Sequence, residues 1–181
     1  MPNEPSLTEM DYTILGIIGR QGPLSAYDIR KVFAASLTPT WSSSTGSVYP
    51  SSRRLLAAKL ISESAPEGAR SRKRLRITPK GRNALTEWLT DVHAAVASPT
   101  PDPIRTRMYF LAVLDEEQRN GLVAAALART DEAIAISRQR LRDRSHEGRD
   151  DWELWAAEGV LYELEARREW LTWFTRRMRR R

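Results

Sequence analysis

The sequence predicts a mainly α-helical chain in two parts: three short helices closed by a basic β-hairpin, then a unit built wholly of helices. Three observations carry that prediction. Apolar residues recur at steps of three and four over most of the 181 residues, the spacing that puts them on one helix face. One stretch, Leu60 to Thr78, changes to alternation, the period of a strand. Ser98–Pro103 then reads SPTPDP, and three prolines in six residues stop any helix. The expected boundaries are 1–97 for the first domain, 98–103 for a linker and 104–181 for the second domain.

The first helix lies in LTEMDYTILGIIGRQGPLS. Thr8 can cap it, Asp11 sits three residues on, and Leu7 is placed to staple against Tyr12. It buries Ile14, Leu15, Ile17 and Ile18 and stops at Gly22-Pro23. Ser25 starts the second helix with Asp28 at its third position, and Ile29, Val32 and Phe33 share the inner face. The third helix grows out of SSSTGSVYPSSRRLLAAKLI, Ser42 to Ile61. There Val48, Leu55 and Leu56 cluster on one face while Arg53 and Arg54 project away from it. The hairpin turns at Pro66-Glu67-Gly68. In its second strand Leu75 and Ile77 share one face and Arg72, Arg74 and Arg76 the other, and alternation puts Lys73 with the apolar pair. A fourth helix carries Leu85, Trp88, Leu89 and Val92.

Beyond the linker, IRTRMYFLAVL reads as a short apolar helix. Asp115 caps a long one, with Gln118 three residues later. Its positions Val123, Leu127, Thr130, Ile134, Ser137 and Leu141 step alternately by four and three, a heptad seam of about three repeats. The last helix runs from about Asp151 and holds Trp152, Trp155, Trp170 and Trp173 together with Tyr162 and Phe174.

Composition removes several function classes. With no cysteine there is no disulfide, zinc-thiolate site or thiol nucleophile. His93 and His146 stand far apart, so neither a metal nor another cofactor is expected. There is no glycine-rich phosphate loop and no carboxylate pair on a defined scaffold, which argues against an enzyme. No apolar run is long enough to span a bilayer, and MPNEPSLTEM lacks a basic n-region and an apolar h-region, so the chain is expected to be soluble and cytoplasmic with no membrane partner.

The net charge of +6 is unevenly spread. Ser44 to Arg82 holds ten Lys/Arg and two acids, a balance of +8 that leaves −2 for the rest. Charge so concentrated points to a polyanion. Helix, helix, helix, basic hairpin is the winged helix-turn-helix order, in which the third helix enters the DNA major groove by its N-terminal end. That accounts for Ser42 to Ile61: hydroxyls at a helix start satisfy free N–H groups and meet phosphates or base edges, arginines follow, and the later turns are core. Arg70, Arg72, Lys73, Arg74 and Arg76 form the candidate wing set.

LSAYDI (Leu24 to Ile29), STGSVYPSSRRL (Ser44 to Leu55), KLI (Lys59 to Ile61) and RKRLRITPKG (Arg72 to Gly81) resemble the PadR family of bacterial transcriptional regulators. Ala26, Ser52, Lys59, Arg74 and Leu75 depart from that family's usual residues. The resemblance implies that Ser44, Thr45, Ser47 and Tyr49 lie at the groove-facing start of the recognition helix, with Arg53 on its exposed side. Tyr49 could instead pack against the second helix. It also implies repression as the usual mode, dimerisation through the C-terminal helices, and flat aromatic effectors in some members.

The C-terminal aromatics fit a dimer. Trp155, Gly159, Tyr162, Ala166 and Trp173 follow one stripe, and Trp152, Leu161, Leu164, Leu171 and Phe174 widen it. A helix apolar over so much of its surface needs two partners, one of them a second subunit. Trp155, Tyr162, Trp170, Trp173 and Phe174 are the expected dimer residues, and Trp88 and Trp152 are candidate linings for a small aromatic effector. The expected function is thus a homodimeric repressor on pseudo-palindromic double-stranded DNA. A MarR-like regulator and a non-DNA-binding helical adaptor are the alternatives; the Tyr49-Pro50 pair in the recognition helix favours PadR over MarR.

Overall fold

The computed structural model describes residues 7–36, 45–64, 73–92, 97, 102–145 and 151–180. The chain divides into two units, Met1–Ser98 and Pro99–Arg181. In the first, α1 (Glu9–Gln21) opens on a closed capping box. The Thr8 hydroxyl accepts from the Asp11 N–H at 3.3 Å, and the Asp11 carboxylate accepts from the Thr8 N–H at 2.9 Å. Ser25 and Asp28 repeat the device at the start of α2 (Ala26–Ala34), and their hydrogen bonds hold the Asp28 carboxyl below its ordinary range. A single 3-10 turn, Thr45–Ser47, leads into α3 (Val48–Ala57).

The core lies among these helices and a small sheet. Ile14, Leu15, Ile17 and Ile18 of α1 meet Ile29 and Phe33 of α2, Val48 and Leu55 of α3, and Leu60, Ile61 and Leu75 beyond. Strands β1 (Ile61–Glu63) and β2 (Leu75–Ile77) are antiparallel, with Ile61 opposite Ile77, Ser62 opposite Arg76 and Glu63 opposite Leu75. Leu24 adds a third chain segment through a single antiparallel bridge, exchanging both backbone bonds with Leu75 at 3.1 and 2.8 Å. The hairpin turn expected at Pro66-Glu67-Gly68 lies outside the described residues.

Helix α4 (Pro79–Thr90) starts where α3 ends, because Thr78 serves both. Its hydroxyl donates toward the Lys59 and Leu60 carbonyls (2.8 and 3.0 Å) and accepts from the Gly81 N–H. A Cβ at Gly81 would sit 2.0 Å from the Leu60 carbonyl oxygen, so only glycine fits there. Of the four apolar positions expected on this helix, Leu85 and Trp88 are half-buried, Leu89 is exposed, and Val92 is exposed beyond the helix end. The helix ends at Thr90.

The second unit begins with α5 (Pro103–Met108) and a 3-10 turn at Leu111–Val113. The single apolar helix expected here is thus broken, with Tyr109, Phe110 and Val113 left exposed. Long helices α6 (Glu116–Ser145) and α7 (Asp151–Met178) pack antiparallel. Asp115 and Gln118 cap α6 reciprocally (2.8 and 3.1 Å). Along its seam Val123, Thr130 and Ile134 are buried and Leu127, Ser137 and Leu141 half-buried, against Ala157 and Leu171 of α7. Arg168 pairs with Asp131 and Arg138 with Glu165 across the two helices.

Lys59 is the one non-glycine residue with positive φ (59°) among the described residues. It stands just past α3, where the Lys59 and Leu60 N–H groups close back on Leu56 (2.9 Å) and Leu55 (3.0 Å) in a Schellman motif. A side chain in the left-handed region costs about 1–2 kcal/mol, partly offset by the freer unfolded chain of glycine. Lys59→Gly is therefore expected to stabilise the protein by about 0.5–1 kcal/mol, read as a higher midpoint in urea unfolding followed by circular dichroism.

Candidate nucleic-acid interface

Helix α3 divides its residues sharply. Val48, Ser51, Ser52 and Leu55 are buried, while Tyr49, Pro50 and Arg53 face outward. Ser52 is tolerated inside because its hydroxyl donates to the Val48 carbonyl at 2.8 Å. Pro50 falls in the first turn, where its missing N–H has no intrahelical partner to lose. Tyr49 is 52% exposed and outside the core cluster, so it does not pack into the interior against α2.

Two expectations for this helix need correcting. Ser47 occupies the cap position but makes no side-chain cap bond, because the preceding 3-10 turn replaces the extended backbone a capping hydroxyl needs. Arg54 does not project away. Its guanidinium reaches Asp11 of α1, with Nε at 3.2 and 3.1 Å from the two carboxylate oxygens and Nη2 at 2.7 Å from Oδ1. Nη2 also donates to the Ser51 hydroxyl at 2.9 Å. Asp11 is fully buried and Arg54 is 38% exposed. Arg53, one residue earlier, makes no hydrogen bond or ion pair among the described residues. The side chain of Thr45 and all of Ser44 lie outside the described residues.

Burial by itself would push the Asp11 carboxyl up. The hydrogen bonds from Arg54, from the Thr8 backbone, and from the Ser51 and Thr8 hydroxyls outweigh it and bring its pKa from 3.8 down to about 2. The interior of this unit therefore holds an ionised pair whose arginine runs from the core to the surface.

The basic residues of the wing differ in their partners. Arg70 and Arg72 lie outside the described residues. Lys73 precedes β2, is exposed and pairs with Glu63, so it neither shares the buried position of Leu75 nor stands free. Arg74 is exposed, and its Nη1 donates to the Pro23 carbonyl at 3.1 Å. Arg76 is exposed beside Ser62 and makes no ion pair among the described residues. Sequence reasoning passed over the outer edge of α2, where Tyr27, Arg30 and Lys31 are all exposed and the Lys31 ammonium lies 4.8 Å from the Tyr27 ring centre. The four-residue spacing of Tyr27 and Lys31 was a readable signal for that pair.

The five tryptophans among the described residues fall into three settings. Trp88 stacks on Tyr12 of α1, centroids 5.1 Å apart and planes within 4°. The two rings line a cleft of about 370 Å³ with Leu7, Glu9, Glu87 and Asp91. On α7, Trp170 and Phe174 are half-buried against each other at 6.3 Å. Trp155 (54%), Tyr162 (73%) and Trp173 (54%) remain exposed along the other side, and Trp152 stands nearly free, edge-on to Trp155.

Residues 14–87 match the model of the transcriptional regulator PadR-like family, a family of regulators rather than enzymes. No curated protein sequence matches the chain. Among solved structures, Bacillus subtilis PadR in complex with operator DNA superposes with a TM-score of 0.79, covering 94% of this chain and 99% of that one at 20% identity. The same protein in complex with p-coumaric acid gives 0.78 over 93% and 98%, at 21% identity. The Vibrio cholerae virulence activator AphA gives 0.71 over 91% and 94%, at 20% identity. The fold is that of the PadR regulators, and the resemblance read from the motifs is borne out.

The Asp11 pair has a consequence for acid stability. Its folded pKa lies below the unfolded value, so the stabilisation is complete above pH 4 and is lost as the pH falls towards 2. About 2 kcal/mol should disappear across that window. Asp11→Asn should be less stable than the parent at pH 7, with the gap closing by pH 2, measured by urea unfolding at a series of pH values.

Proposed function

With residues 14–87 a PadR-like domain on a chain of PadR fold, we propose that the protein is a transcriptional regulator that binds double-stranded DNA as a homodimer. The observation that carries this is the sorting of the two arginines on α3. Arg54 is consumed inside by Asp11, and Arg53 is left outside beside Tyr49 with no protein partner among the described residues. A helix that turns a tyrosine and an unpaired arginine outward at its N-terminal end, next to a two-stranded wing, is suited to a major groove. Ser44, Thr45 and Ser47 would share that end, and Arg70, Arg72, Arg74 and Arg76 would meet phosphates. Tyr27, Arg30 and Lys31 join them as candidate backbone contacts.

Residues 1–97 serve as the reading domain, 98–103 as the linker and 104–181 as the dimerisation domain. The exposed Trp155, Tyr162 and Trp173 supply the surface for the second copy, with Trp170 and Phe174 behind them. Repression is the reading adopted from the family. An operator-bound PadR and a virulence activator share this fold, so the sign depends on where the operator lies relative to the promoter. An aromatic effector at Trp88 would meet Glu9, Glu87 and Asp91 at the cleft wall. A carboxylate ligand is disfavoured there, and Trp152 on the surface offers only a face. No helix among the described residues is long and apolar enough to cross a membrane; a cytoplasmic location follows from the DNA partner.

The test is fluorescence anisotropy against DNA from upstream of the protein's own gene and against scrambled duplex, over a salt series. Tight, salt-sensitive, sequence-selective binding of two chains per duplex is expected. Weak binding equal on both duplexes, repeated on random-sequence pools, would favour the helical adaptor. Arg53→Ala should weaken operator binding by about 1–3 kcal/mol and relax base preference. Neutralising Arg72 and Arg74 should instead lower affinity about equally on specific and random duplex and flatten the dependence on salt.

A further inference from the structure

Asp102 stands at the start of the helical unit and does two things with one carboxylate. Its Oδ1 accepts from the Ile104 and Arg105 backbone N–H groups at 2.9 and 3.3 Å, capping α5. Its Oδ2 accepts from Nε of Arg167 at 3.0 Å, a residue 65 positions further on, on α7. The Asp102 side chain is only 13% exposed. Burial alone would raise its carboxyl; the two backbone N–H groups and the Arg167 charge outweigh that and hold it below its ordinary value.

Helix α5 is otherwise shallowly seated. None of its six residues is fully buried; Ile104 and Met108 are half-buried and the other four exposed. The neighbouring Arg168 pairs with Asp131 of α6. Consecutive arginines on α7 thus hold two different helices. Helix α7 also carries the Trp155, Tyr162 and Trp173 stripe. In a dimer closed through that stripe, α7 is the frame of both copies, and the chain departs each frame for its reading domain at Asp102.

We propose that Asp102 and Arg167 are positioning residues that set which half-site spacing the dimer accepts. The proposal rests on the regulator reading above. One added base pair moves a half-site by about 3.4 Å along the duplex and turns it by roughly 34°. A departure point pinned to α7 resists both displacements, so a misplaced half-site loses affinity. A departure point released from α7 follows them.

The test uses the full chain, Asp102→Asn and Arg167→Leu. Asparagine keeps a side-chain oxygen for the cap and removes the charge pair; the leucine variant breaks the pair from the other side and leaves the cap untouched. Dimer mass is measured by sedimentation equilibrium. Affinity is measured on a duplex with a single half-site and on duplexes whose selected half-sites are moved by up to two base pairs either way. The parent should lose about tenfold or more at the outer spacings. Both variants should stay dimeric, keep the parent's single half-site affinity, and lose less than about threefold at the same spacings. A parent-like spacing profile, an equal loss at every spacing, or dissociation into monomers would each overturn the assignment. If the parent chain selects no duplex at all, the regulator reading itself falls and this inference goes with it.

Discussion

The placement of α3 depends on one buried carboxylate. Asp11 closes the capping box of α1 and, from the same two oxygens, receives the fork of Arg54. A carboxylate with no exposed surface is costly unless every lone pair is used. That requirement fixes α3 in rotation as well as in position. Adjacent helical residues point about 100° apart, so holding Arg54 inward throws Arg53 outward. A pair of this kind adds little net stability over an apolar substitute, but an alternative rotation would strand a charge in the core.

The elements of the first unit were legible because their signals are local. Thr8 with Asp11 and Ser25 with Asp28 announce helix starts through residues three apart, and the alternation of Leu75 and Ile77 announces a strand. Arg54 was misread for the opposite reason. Its partner lies 43 residues away on another helix, and nothing in either local pattern links them. Ser47 misled by composition, since a hydroxyl at a helix start caps only when the backbone before it is extended. Leu89, Val92, Tyr109 and Phe110 belong to apolar stretches of sequence and are nonetheless exposed, because periodicity reports which side is apolar and not what covers it. The wing's basic residues are not equivalent, because Lys73 pairs with Glu63 while Arg74 keeps its charge and lends one donor to the Pro23 carbonyl.

The two units are stabilised by different means. In the first, three helices and a sheet share one apolar core, with Asp11 the one carboxylate taken fully inside it among the described residues. The second is a long two-helix hairpin with one short helix beside it, too few layers to bury both sides of either long helix. Ion pairs such as Arg168–Asp131 and Arg138–Glu165 set its register, since the seam includes Thr130 and Ser137 where a coiled coil would carry larger apolar residues. Trp155, Tyr162 and Trp173 are therefore on the outside by construction.

Gly81 is where the end of α3, the strand after the wing and the start of α4 meet, with no room for a methyl group between α4 and the Leu60 carbonyl. Thr78 ties the same three pieces with one hydroxyl. Shifting the wing by a residue, or extending α3 by a turn, would have to move all three at once. New binding preferences are consequently open to this chain through exchange of outward side chains such as Tyr49, Arg53 and Arg76, and closed to it through change of backbone. Divergence among proteins sharing this joint should be wide in surface chemistry and narrow in geometry.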